Sequence, residues 1–194
     1  MDILTTIKNI FSSDEDVLKQ SLSPTYTVRD LAVTNTGIKN VPTPSVIPSL
    51  KTLAEILEDI YDQIGPFTVP SAYRNSLVQS TLTSEGLPTS PTKSFHELGM
   101  AADIIPTGGL MEFWAKLLSN KDLRLRLGEI AIKPAQGSIH ISLATPNTQN
   151  KVMELRSGKY VRLTEAEVSS YMGSNYLGII AGLGAILLWL RFKK

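Results

Sequence analysis

Three side chains stand where metal ligands would be useful: His96, Asp103 and His140. The first and second lie in Ser94-Phe95-His96-Glu97-Leu98-Gly99-Met100-Ala101-Ala102-Asp103-Ile104, and the third in Ser138-Ile139-His140-Ile141-Ser142. The chain has two histidines and no cysteine, so a transition metal would have to be held by imidazole and carboxylate. Two imidazoles, one carboxylate and an open fourth position make a catalytic rather than a structural zinc site. Spacing alone also allows a second reading, in which a histidine on a strand is a satisfied structural residue.

The elements around these residues must do the positioning. On one continuous helix His96 and Asp103 would sit about 10 Å apart along the axis, too far for donors that each approach one zinc ion to about 2 Å. A turn followed by a strand can fold them together, and Gly99, Ala101 and Ala102 supply the freedom and small volume that turn needs. Asp103 then enters a buried strand between small and aliphatic residues, where a carboxylate demands a partner charge. In a strand over Ile139 to Leu143, period-two alternation puts His140 and Ser142 on one face and Ile139 and Ile141 on the core face.

A further strand is expected over Leu127 to Ile132, and another over Phe67-Thr68-Val69, leading into Ser71-Ala72-Tyr73-Arg74. The planar fork of Arg74 on a rigid strand end suits a peptide carboxylate, with a surface ion pair as the alternative. A one-faced helix is predicted from Ile47 to Ile64, where Leu50, Leu53, Ala54, Leu57 and Ile60 repeat at three and four before Gly65-Pro66 stops it. Leu110, Phe113, Trp114, Leu117 and Leu118 predict another. Three prolines between Val41 and Pro48 exclude a helix interior there. Residues 12–20 read as a linker, Tyr26 to Leu31 as a short extended piece and Ser80 to Lys93 as a polar loop. Strands and helices alternate with irregular connections, so the class is α+β.

At 194 residues the chain suits one domain with appendages. Nineteen basic and eighteen acidic residues give a formal charge of +1, which leaves no broad field to hold a polyanion and argues against nucleic acid as a partner. Residues 1–24 read as an amphipathic helix, with Ile3, Ile7 and Ile10 on one face, and a linker. An acidic second residue and broken apolar spacing argue against a cleavable signal peptide. Residues 25–165 form the domain.

No charged residue occurs from Val168 to Leu190, and as a helix this stretch would be about 34 Å long, enough for a hydrocarbon core of about 30 Å. A transmembrane helix over 168–190 is therefore expected, with Tyr176 and Trp189 near its ends. Arg191, Lys193 and Lys194 in the basic tail 191–194 would keep the C-terminus on the cytoplasmic or equivalent side and place the domain opposite, or in a virion membrane. A buried C-terminal helix of a soluble fold is the alternative.

The string around His96 resembles the S-x-H-x-x-G-x-A-x-D-[IV] motif of the zinc D-Ala-D-Ala carboxypeptidase and phage L,D-endopeptidase family. Val69-Pro70-Ser71-Ala72-Tyr73-Arg74 is similar to that family's strand and S-x-Y-R segment, and Ile139-His140-Ile141-Ser142 to its last-ligand strand. The segment from Tyr26 to Pro42, with Asn40 before the long helix, resembles the phage-type members, so the likeness covers about residues 25 to 160. It implies a small antiparallel sheet with flanking helices, of the hedgehog and D-Ala-D-Ala peptidase kind. It also implies zinc at His96, Asp103 and His140, and peptide binding by Arg74, with Ser71 and Tyr73 shaping the same wall. Ser94 is placed to orient His96.

One departure bears on activity. The family usually carries an Asp or Glu three residues before the last His, where it moves the proton of the attacking water, but that position here is Gly137. Glu129 and Glu97 are the candidate substitutes. The reading is a zinc-dependent peptidase of peptidoglycan peptides, made by a bacteriophage as a virion or lysis protein and held in a lipid bilayer among virion or capsid proteins. The alternative is a catalytically degenerate domain that binds peptidoglycan or serves in assembly.

Overall fold

The computed structural model describes residues 13–86 and 94–173. The expected N-terminal amphipathic helix lies outside them, as does all but the start of the expected transmembrane segment.

The longest helix, α3 (Ile47–Gln63), follows the shorter α1 (Asp14–Leu18) and α2 (Val28–Leu31). It buries Leu50, Leu53, Ala54, Leu57 and Ile60 of the stripe expected from its three-and-four spacing, and Ile56 in addition, whereas Tyr61 is exposed. Next come β1 (Phe67–Ser71), α4 (Ser76–Ser84), β2 (Ala101–Pro106), α5 (Leu110–Ser119) and α6 (Lys121–Arg126). The chain then runs through β3 (Leu127–Lys133), a 3₁₀ turn at Pro134–Gln136, β4 (Ser138–Leu143), β5 (Lys151–Arg156), β6 (Lys159–Arg162) and α7 (Glu165–Met172).

The six strands form one sheet in the order β1-β2-β4-β3-β5-β6. The class is α+β, but the sheet is mixed rather than antiparallel, because β5 runs parallel to β3, pairing Ala131 with Met153. One face carries Ala102, Ile104, Ile130, Ile132, Ile139 and Ile141, all without exposed surface, and packs against Leu53, Leu57, Trp114 and Leu117 of α3 and α5. The opposite face carries the polar residues of the site.

Several local expectations are corrected. Within 12–20, expected as a linker, Ser13 and Asp16 form a capping box that starts α1. Within Tyr26 to Leu31, expected as extended, Thr27 and Asp30 form a second box, and α2 buries Val28 and Leu31 completely. Extended pairing there is limited to a bridge between Ser21 and Thr27. Asn75 caps α4, so helix occupies the first residues of the expected loop after Ser80, and 87–93 lie outside the described residues.

The expected membrane span is corrected at its start. Val168 to Met172 belong to α7, which Thr164 and Glu167 cap, and Val168 is buried against the core. Tyr171 meets Trp114 edge-on at a centroid distance of 6.1 Å. No helix among the described residues is long and apolar enough to cross a membrane.

Candidate metal centre

Strand register assembles the first half of the site. Asp103 on β2 faces Ser71 on β1 and His140 on β4, and His140 faces Ala131 on β3. Alternation then brings Lys133, two residues beyond Ala131, onto this same face. Ala131 is small and fully buried, so the long side chains beside it can lean across toward Asp103.

His96 arrives from a turn over Phe95–Gly99. Gly99 closes that turn at φ +66°, and a Cβ built there would lie 2.5 Å from Val46 Cγ1 and 3.0 Å from Leu50 Cγ. Glycine thus serves twice, for the left-handed backbone and for close approach to the start of α3. The His96 ring is fixed by Nδ1, 2.5 Å from the carbonyl oxygen of Ala72. Since a carbonyl can only accept, Nδ1 carries the proton and Nε2 offers its lone pair to the site. Ser94, expected to orient this ring, accepts instead from the His96 backbone N–H at 3.3 Å.

The three expected ligands converge. Their donor atoms lie within 4.8 Å of one another, with His140 Nδ1 3.1 Å from Asp103 Oδ1 and His96 Nε2 3.8 Å from Asp103 Oδ2. Ligands of a tetrahedral zinc ion at about 2 Å are about 3.3 Å apart, so small adjustments suffice. Two neutral imidazoles and one carboxylate suit a divalent transition metal, and this buried group could hold one.

Burial drives the His96 pKa down to about 3, helped by Arg74 and His140 and opposed by Asp103, so the ring is neutral in ordinary conditions. Burial works against charge on Asp103 as well, yet the hydrogen bond from His140 and the ammonium of Lys133 hold its carboxyl well below the usual carboxylate range.

Two cations already sit on Asp103. Arg74 Nη2 donates to Oδ2 at 2.7 Å and Lys133 Nζ to Oδ1 at 2.7 Å. Arg74 is further held by Nε, which donates to Ser71 Oγ at 2.8 Å. With His140 also on Oδ1, three of about four lone-pair positions are engaged, and the remaining one, on Oδ2, faces the unprotonated His96 Nε2 at 3.8 Å without a hydrogen between them.

Of the expected peptide-binding residues, Arg74 and Ser71 reach the site. Tyr73 does not, since its side chain is buried in the core. Its backbone is clamped instead: its N–H donates to Leu31 O, and Asn40 Nδ2 donates to its carbonyl at 2.8 Å. Asn40 Oδ1 also accepts from the Asn75 N–H, so this buried amide braces the chain on both sides of Arg74.

Neither expected substitute acid is bonded to the three ligands. Glu129 pairs with Lys151 at 2.8 Å, and Glu97 accepts from the Ser94 N–H at 3.1 Å. Gly137 closes the 3₁₀ turn at φ +64°, a conformation that an ordinary side chain adopts only with strain.

Sequence reasoning missed Lys133 and Tyr160. The period-two pattern of β3, carried one residue past Ile132, puts Lys133 opposite the apolar face, but only the pairing of β3 with β4 brings it beside His140. Tyr160 sits on the β6 edge opposite Leu155, and burial, together with the nearby charge of Asp103, pushes its hydroxyl up to about 12. Comparison with protein-family models, with curated proteins and with solved structures gives no match to this chain.

Proposed function

We propose that this chain is a zinc-dependent peptidase that hydrolyses the short peptides of bacterial peptidoglycan. The observation that supports this most is the convergence of His96, Asp103 and His140 on one buried point beside Arg74. A bound zinc ion would polarise a peptide carbonyl and lower the pKa of a water molecule. Arg74, on a braced strand end, would bind a carbonyl or carboxylate of the peptide, and Ala72 O would keep His96 in the tautomer that ligates. With neither Glu129 nor Glu97 nor any other acid among the described residues bonded to the three candidate ligands, turnover is expected to be about 10²- to 10⁴-fold below that of a site with a general base. The phage-type likeness is the reason for proposing a virion or lysis protein, and the uncharged stretch beyond α7 for proposing a bilayer tether.

Gly137 favours a second reading, in which the domain keeps the metal and binds peptidoglycan without cutting it. Incubating the full chain with purified peptidoglycan, with metal content measured on the same sample, separates the two. The peptidase reading expects about one equivalent of zinc and peptide fragments that disappear in His96→Ala. Zinc without fragments selects the binding reading. Metal content near zero, unchanged by His96→Ala, removes both.

A further inference from the structure

Lys133 is a cation at the end of an apolar strand, 8% exposed, in a place where burial of an ammonium is costly without a partner. Its one polar partner among the described residues is Asp103 Oδ1, a donor atom of the candidate metal centre. Arg74 already neutralises the other carboxylate oxygen at 2.7 Å. A divalent ion on the same carboxylate would put two, one and one positive charges around a single negative one. The two resident cations are not equally free to yield. Arg74 is anchored at a second point by Ser71 Oγ, whereas Lys133 has a flexible four-carbon stem and a single anchor.

We infer that Lys133 is a built-in counter-cation that closes the Asp103 site when no metal is bound and competes with the metal for that carboxylate. The inference rests on the metal reading above and deepens it. A structural zinc site, by contrast, holds its fold through the metal. Here the carboxylate is neutralised from within the chain, so the domain stays folded without metal, and zinc must displace the ammonium or bind beside it.

The test is a zinc titration of the full chain in competition with a chromophoric chelator, on wild type, Lys133→Met, Lys133→Gln and His96→Ala. Removing one positive charge next to a divalent ion is expected to tighten zinc binding about tenfold or more in both Lys133 variants. Affinities within threefold of wild type would overturn the inference and leave the metal reading standing. Binding by none of the chains beyond that of His96→Ala would overturn both. Should the Lys133 variants fail to fold, nitrogen NMR of the lysine ammonium groups in the unaltered chain decides. Saturating zinc is expected to shift the Lys133 resonance, and an unmoved resonance counts against the competition.

Discussion

His96 Nδ1 lies 2.5 Å from the carbonyl oxygen of Ala72, and this single bond sets what the imidazole can do. Ala72 follows the last residue of β1, so the ring is keyed to the same strand end that carries Arg74. The bond fixes the tautomer, turns Nε2 toward Asp103 and leaves no room for a second proton without placing a buried cation near the Arg74 guanidinium.

That arrangement predicts an acid-labile fold. The His96 pKa falls from 6.5 to about 3 on folding, so the unfolded chain binds the proton more tightly. The stabilisation from the neutral ring is therefore complete above the unfolded value of 6.5 and is lost as pH drops from there toward 3. The slope is about 1.4 kcal/mol per pH unit for one proton. Asp103, whose carboxyl is also lowered, adds its own loss below its ordinary value of 3.8. Urea unfolding of the metal-free chain between pH 7 and pH 4 checks this. His96→Gln should flatten the slope between about pH 6 and pH 4.5, and a slope unchanged by that substitution would refute the assignment.

Asp103→Asn tests the charge balance of the centre. With the carboxylate gone, the Lys133 ammonium and the Arg74 guanidinium, with side chains 10% and 15% exposed, are left facing each other without a counter-charge. Breaking a buried pair in this way costs about 3–5 kcal/mol. Adding Lys133→Met to Asp103→Asn should recover a large part of that loss, since it removes one of the stranded charges. The measurement is a double-mutant cycle by chemical denaturation. Additive losses would mean that the two residues do not act as a pair.

The three candidate ligands were legible in the sequence chiefly through the resemblance of the string around His96, with the turn at Gly99 and the alternation around His140 as supporting local patterns. Lys133 was not legible as part of the site. Its neighbourhood depends on β4 lying between β2 and β3, which no local spacing encodes. The mixed character of the sheet was hidden for the same reason, since β5 follows β4 in the chain yet pairs in parallel with β3. The capping boxes at Ser13 and Thr27 were in plain view, but they open helices of five and four residues, too short for apolar periodicity to announce.

Gly137 occupies a left-handed position three residues before His140, and what a side chain would cost there can be tested without any substrate. The 3₁₀ turn after β3 returns the chain to β4 through a residue at φ +64° and ψ 23°, and a Cβ there would meet no atom within 4 Å. Space is therefore not the constraint, and backbone conformation is. An ordinary L-residue in this region costs about 1–2 kcal/mol, so Gly137→Ala should destabilise by about that amount. Gly137→Asn, whose side chain tolerates the left-handed region, should lose clearly less. Thermal or urea unfolding of the two variants reads the difference. Equal losses would point to packing rather than backbone strain. Alanine at no cost would mean that the turn can relax, and a carboxylate three residues before His140 would then meet no backbone obstacle.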